Sequence, residues 1–196
     1  MPEKRAMFFV DGENLTFRYQ DMLQAGAKLR NHINPDHIPD TLVWHARMCQ
    51  VAPMTLRRVN YYTSVVGDDD KIAEVKNKIA EITYTASAFG VHSTGQIVPK
   101  VYKKEKSSRK SRIVDINICI DSLRHAHQPD VDLLIFASGD GDYLPLIREI
   151  MRHGKQVYLM AFSSGLDQRL RHSVDHFFDM DVMFFEQLRD SSDARP

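Results

Sequence analysis

Short apolar runs alternate along this chain with stretches whose apolar residues recur every three or four positions. Residues 6–10 (AMFFV) form one such run and stop at the polar Asp11-Gly12-Glu13-Asn14, the pattern of a buried strand that delivers a loop. A helix is predicted over 15–25, a loop rich in Pro, Asn and Asp over 31–40, and a further helix around Leu42, Val43, Ala46 and Met48, closed by Pro53. Residues 58–66 (RVNYYTSVV) are β-branched and aromatic and read as a second strand. Asp68-Asp69-Asp70 then open a helix that extends to Ile82, acids in a first turn being favoured by the helix dipole. Partial alternation over 83–102 predicts a strand or hairpin. Farther on, Ile113, Ile116, Ile120 and Leu123 mark a helix, 131–137 (VDLLIFA) a buried strand, and 143–153 a helix ended by Gly154. Residues 157–162 form another strand, 165–172 a helix and 176–178 a short strand. Strands alternating with helices predict an α/β domain of three layers, a mostly parallel central sheet covered on both faces.

Sheets of this kind bind ligands beyond the carboxyl ends of their strands. Two segments meet that condition, 10–14 (VDGEN) and 137–142 (ASGDGD), and both are rich in carboxylates. A dinucleotide cradle is disfavoured at the second: the position of the third glycine is Leu144, and Asp140 and Asp142 would face the phosphates such a loop holds. Converging aspartates repel by roughly 4 kcal/mol per pair at about 4 Å and an effective dielectric of 20, unless a cation neutralises them. Magnesium or manganese, hard ions that take carboxylate oxygens and leave room for phosphate oxygens, would suit the place. Each acid also has a plain local role available. Asp142 could cap the helix starting at Tyr143, Asp11 could make an Asx-turn and Asp115 could favour a helix start, whereas Asp140, between two glycines, has no such role. Asp121 lies about 120° round a helix from Asp115 and so belongs to a supporting shell or the surface. His125, His127, His172 and His176 are spaced poorly for a metal, and the Phe177-Phe178 and Phe184-Phe185 doublets read as core.

Composition is that of an ordinary globular domain, 43% hydrophobic and 27% charged over 196 residues. No apolar run exceeds six residues, far short of the roughly 20 that span a bilayer, so no membrane segment or export signal is expected. Cys49 and Cys119 show neither disulfide nor zinc spacing, and a cytoplasmic location follows. The 26 basic and 26 acidic residues give zero net charge. That balance hides an asymmetry: residues 100–112 (KVYKKEKSSRKSR) carry +6 and the rest of the chain −6. Lys100, Lys103, Lys104, Lys106, Arg109, Lys110 and Arg112 would contact a polyanion backbone, and Tyr102 beside them could stack on a base.

Taken together, Phe9-Val10-Asp11-Gly12-Glu13-Asn14, Val114-Asp115 with Asp121, Ser138-Gly139-Asp140-Gly141-Asp142-Tyr143-Leu144-Pro145-Leu146 and Gly154-Lys155-Gln156-Val157-Tyr158 resemble the NYN domain of the LabA-like group, within the PIN-like nucleases. The later Leu170, Asp175 and Phe177-Phe178-Asp179 are similar to the closing pattern of that family. One departure stands before Val114-Asp115, where the family commonly has Lys and this chain offers Lys110 and Arg112. The resemblance implies a PIN-like sheet and metal-dependent ribonuclease activity, with Asp11, Asp115, Asp140 and Asp142 as the metal-binding, catalytic acids and Asn14 and Ser138 as polar supports.

The resulting expectation is one domain over 1–190 with a basic insertion or loop around 97–112 and a frayed tail at 191–196. It would hydrolyse RNA, preferably single-stranded, through one or two Mg²⁺ or Mn²⁺ ions, and homo-oligomerisation is compatible with it. Two alternatives stand beside it. One is a non-catalytic module that binds RNA or a partner and retains the acidic pocket; the other is a small-molecule phosphohydrolase that needs the metal but not the lysines.

Overall fold

The computed structural model describes residues 4–88, 91–105 and 112–186. Its centre is a seven-stranded sheet in the order β5-β6-β4-β1-β7-β8-β9. The strands are β1 (Lys4–Asp11), β4 (Met54–Val65), β5 (Thr83–Ala88), β6 (Val91–Lys103), β7 (Leu133–Ala137), β8 (Gln156–Ala161) and β9 (His176–Asp179). All neighbours are parallel except β5, which folds back antiparallel on β6. A separate hairpin joins β2 (Asp36–Ile38) to β3 (Leu42–Trp44).

Alternation along the strands builds two cores, because successive side chains leave opposite faces. Phe8, Val10, Tyr61 and Ile135 enter one, with Leu15 and Tyr19 of α1 (Gly12–Gln24), Val75 and Ile79 of α2 (Asp69–Ala80) and Phe184 of α6 (Met180–Phe184). Phe9, Tyr62, Leu134 and Phe136 enter the other. There they meet Val114 and Ile118 of α3 (Arg112–Ala126), Ile147 and Ile150 of α4 (Leu144–Arg152) and Leu170 of α5 (Gln168–Arg171). The result is the expected three-layer α/β arrangement. Among the described residues no helix is long and apolar enough to cross a membrane.

From β1 the chain moves by α1 toward β4 on one side, and from β7 it moves by α4 toward β8 on the other. The carboxyl ends of β1 and β7, paired in register from Ala6↔Leu133 to Val10↔Ala137, therefore flank the point where strand order reverses.

Four local expectations change. Leu42, Val43 and Trp44 are all buried in strand β3, not in a helix, and only Ala46–Cys49 coils, as a single 3₁₀ turn. Their apolar spacing suits a helix, but the residues are bulky or β-branched and the hairpin turns at Asp40, whose φ of 58° ends any helical run. The helix over 165–172 shortens to α5, because Gly165 has φ +71° and Asp167 caps the turn that follows. The face of α3 is offset by one residue: Ile113, Ile116 and Ile120 are 44, 54 and 48% exposed, while Val114, Ile118, Ser122 and Ala126 are buried. Finally, the strand or hairpin expected over 83–102 is the antiparallel pair β5-β6, and β6 carries strand into the region around 97–112 also read as a basic loop, pairing to β4 from Val59↔Ile97 to Val65↔Lys103.

Candidate active site

Asp11 ends β1 and caps α1: its Oδ1 accepts a hydrogen bond from the Asn14 amide at 3.0 Å. The cap brings the carboxylate to the switch point with only 2% exposure. Gly12 makes the tight junction possible, since a Cβ there would lie 2.3 Å from the Tyr61 ring. From the other side, the Ser138 hydroxyl donates to Asp11 Oδ2 at 3.0 Å and accepts from the Asp140 amide at 3.2 Å. The Asn14 side-chain oxygen accepts from the Gly139 amide at 2.9 Å. Asn14 and Ser138 thus lock the end of β1 to the loop after β7.

Asp115, in the first turn of α3, meets this group through Tyr143. The tyrosine hydroxyl lies 2.9 Å from Asp115 Oδ1 and 3.3 Å from Asp11 Oδ2. Burial first, then the charges of Asp11 and Asp115, push the Tyr143 hydroxyl well above its ordinary range, so it remains a protonated donor between two carboxylates.

Asp140 and Asp142 occupy the turn Gly141–Tyr143. Here the expected capping roles exchange: Asp140 Oδ1 accepts from the Asp142 amide at 3.0 Å and caps the turn, while Asp142 is exposed within it. α4 begins one residue later than expected, at Leu144, with no side-chain cap. Both acids line an open cavity of about 420 Å³ with Asn14, Arg18, Leu166, Asp167 and Arg169.

Asp121 belongs to a different group. It accepts from the Tyr62 hydroxyl at 2.8 Å and from Arg124 at 3.1 Å, with the Lys100 ammonium 3.9 Å away. Tyr102 is half-buried against the α3 side of the sheet, Lys103 and Arg112 are exposed, and Lys106, Arg109 and Lys110 lie outside the described residues. Lys104 departs from its expected role. Its side chain is only 9% exposed, its Nζ pairs with Glu13 Oε1 at 2.8 Å, and the Ser64 hydroxyl donates to the same oxygen. It ties the chain just past β6 to α1 instead of offering its charge to solvent.

The donors at the switch point are all oxygen, and a carboxylate as buried as Asp11 beside Asp115 gains from a nearby cation, so the residues fit a hard divalent ion by their chemistry. Among the described residues no three Asp, Glu, His or Cys side chains stand as a preformed cage. Asp11 and Asp115 meet across Tyr143, and Asp140 and Asp142 adjoin them through Ser138 and line the cavity. Sequence reasoning missed Tyr143, Glu13 and Arg18. Glu13 and Tyr143 lie inside the segments singled out at the strand ends, but nothing in the sequence pointed to the partners they bind.

The fold is a doubly wound α/β domain with carboxylates at its switch point. The sequence matches the NYN domain over residues 5–181, and the chain belongs to that family, whose members are generally nucleases. A relative from Methanocaldococcus jannaschii, the uncharacterized protein MJ0482, is 24% identical over 110 residues, 56% of this chain and 46% of that protein, so the match spans less than half the relative's length. The crystal structure of VPA0982, a protein of unknown function from Vibrio parahaemolyticus, superposes with a TM-score of 0.59 at 19% identity. That match covers 94% of this chain and 97% of the other, and it shows the shared fold.

Proposed function

We propose that this chain is a ribonuclease of the LabA-like kind that hydrolyses single-stranded RNA at the carboxylates of Asp11, Asp115, Asp140 and Asp142, with Mg²⁺ or Mn²⁺ as its cofactor. The observation that carries the reading is Asp11: a carboxylate 2% exposed at the topological switch point, linked by one hydroxyl to Asp115 and by another to the Asp140 loop. When bound, a divalent ion supplies positive charge for the phosphate and lowers the pKa of water. The protein's own contribution is placement: Asn14 and Ser138 fix Asp11, Tyr143 spaces Asp11 from Asp115, and Asp140 orders the turn that presents Asp142. Exposed Lys103 and half-buried Lys100 of β6 would guide the strand. The two cysteines are unpaired, in keeping with a reducing cytoplasm.

End-labelled single-stranded RNA incubated with purified protein and Mn²⁺ tests this. Cleavage leaving a 5′-phosphate is expected. Asp11→Asn and Asp140→Asn should each reduce it about 100-fold or more, beyond the roughly 10–100-fold typical of residues that only support ligands. Undiminished cleavage by both variants would remove these acids from the reaction. RNA binding without turnover by the wild type would favour the non-catalytic module.

A further inference from the structure

A second hollow opens on the same edge of the sheet as the carboxylates, at the ends of β4 and β6. It encloses about 380 Å³ between Phe17 of α1, Asp40 and Thr41 of the β2-β3 turn, Val65 and Val66 at the end of β4, and Lys71 of α2. An adjoining hollow of about 650 Å³ shares Val66 and Lys104 with it and continues past Lys103 and Glu105. β1 ends at Asp11, opposite Tyr62, and β4 runs on three residues to Val65. At about 3.3 Å per residue and 4.8 Å between strands, the hollow begins about 11 Å from the Asp11 backbone, within reach of one polymer bound at both places. Its walls are preformed. The Thr63 hydroxyl donates to the Thr41 carbonyl at 2.9 Å, and the Gln20 amide group accepts from the Asp40 N–H at 2.8 Å and donates to Asp40 Oδ1 at 2.9 Å. A wall already ordered spares a ligand the entropy of ordering it.

Floor, walls and rim differ in chemistry. The floor is closed on itself: Lys104 Nζ lies 5.6 Å from the Phe17 ring centroid and is held by Glu13, which also accepts from the Ser64 hydroxyl. Phe17, Val65 and Val66 make an apolar lining, and Val66 is 45% exposed despite its apolar side chain. At the rim Lys71 and Lys103 are both exposed. Lys71 pairs with Glu74 at 2.8 Å, a surface contact that exchanges for another anion at little cost. An inorganic anion has no use for the apolar walls, and an apolar molecule has none for the lysines. A flat heterocycle carrying a phosphate uses both, and surfaces that bind single strands combine these two features. A volume near 380 Å³ suits one such unit and is too small for a folded partner.

We propose that this hollow is a nucleobase subsite of the RNA path: one base of the strand lies between Phe17 and Val66, and the strand's phosphates pass the rim at Lys71 and Lys103. The proposal rests on the ribonuclease reading for its substrate class, but binding can be read without turnover.

The test measures binding of a fluorescent 12-nucleotide single-stranded RNA by anisotropy, in EDTA and again in Ca²⁺. RNAs carrying one abasic residue at successive positions should bind wild type about tenfold less tightly at one position, the loss of one stacked base. Val66→Glu, an exposed position where the fold tolerates change, should raise Kd for the intact RNA about tenfold and make that abasic position indifferent. Phe17→Leu, which keeps bulk without the flat ring, should act in the same direction by about threefold. Lys71→Ala should make the slope of log K against log salt shallower by about 0.7, one phosphate contact on a single strand. Thermal melts of the variants identify any loss of fold. An abasic series with no distinguished position would overturn the subsite, even if Lys71→Ala weakens binding, because the hollow would then meet phosphates alone. An unchanged Kd for a folded Val66→Glu would overturn it too, as would a wild type that binds no RNA. AMP binding more tightly than the RNA would assign the hollow to a free mononucleotide and overturn its place on the strand. A position-specific loss that disappears in Val66→Glu, with no cleavage in Mn²⁺, would leave the subsite standing while the nuclease reading falls.

Discussion

Tyr143 concentrates the electrostatic problem of the site in one hydroxyl. Two carboxylates face it, its burial keeps it protonated, and its single proton can serve only one of them at a time. Tyr143→Phe removes that donor and leaves Asp11 and Asp115 facing an apolar ring edge. The loss should be about 1–2 kcal/mol in urea unfolding, or about 2–4 °C in Tm for each kcal/mol. RNA cleavage should fall about 10–100-fold, the range of a positioning residue. A fully active variant with unchanged stability would show that the hydroxyl spaces nothing. Lys104 poses the opposite case, a cation that the local sequence marks for solvent and the fold places inside. Lys104→Ala leaves the buried Glu13 without this ion pair and should cost roughly 3–5 kcal/mol, whereas Lys103→Ala at the neighbouring exposed position should stay within about 0.5 kcal/mol. Combining Glu13→Gln with Lys104→Met should recover much of the loss; equal destabilisation by Lys103→Ala would contradict the difference in burial.

The end of the sheet opposite the site is held by a clip between two strands. Arg5 at the start of β1 gives Asp132 three hydrogen bonds, from its amide at 2.9 Å, Nε at 2.8 Å and NH2 at 3.0 Å, just ahead of β7. The Arg5 side chain and amide hold the Asp132 carboxyl down to about 2. A depressed carboxyl pKa stabilises the fold above its unfolded value of 3.8, and that contribution disappears as pH falls through about 2. Asp132→Asn should therefore lower Tm relative to wild type at pH 6, with the gap closing between pH 4 and pH 2; a gap independent of pH would rule out the clip as its source. These elements also show what a sequence discloses. β1, β7 and β8 are continuous apolar runs because both faces are covered, and such runs are legible. The β3 segment was not, since a strand buried on three consecutive residues mimics helical spacing over so short a stretch. The face of α3 was misread because the exposed Ile113, Ile116 and Ile120 are as apolar as the buried Val114 and Ile118, so periodicity could not choose between them. The acids stand out in the sequence because strand ends locate ligands in this fold class. Tyr143, Glu13 and Arg18 were not, because their roles depend on partners far away in the chain.

Across the whole molecule, zero net charge resolves into a cationic segment and an acidic remainder, and the structure divides the cations further. Lys104 is consumed internally, and Lys100 stands near Asp121 at 3.9 Å with 38% of its side chain exposed. Lys103 is exposed on β6, and Arg18 lies on the α1 side of the carboxylates. Only cations that release counterions from RNA contribute to the salt dependence of binding, and each phosphate neutralised on a single strand contributes about 0.7 to the slope. The number of lysines in the segment is therefore a poor guide to its effect on binding. Lys100→Ala with Lys103→Ala should reduce the slope by about 1.4, less whatever part of Lys100 Asp121 already neutralises. Lys104→Met in the Glu13→Gln background should leave the slope unchanged, although it removes one charge of each sign from the same region. Anisotropy titrations of the two double variants from 50 to 200 mM salt (~4-fold) check this, a range over which contacts of this kind separate clearly. If Lys104 lowers the slope as much as Lys103 does, the ion pair with Glu13 must open when RNA binds, and the basic segment then acts as a unit after all.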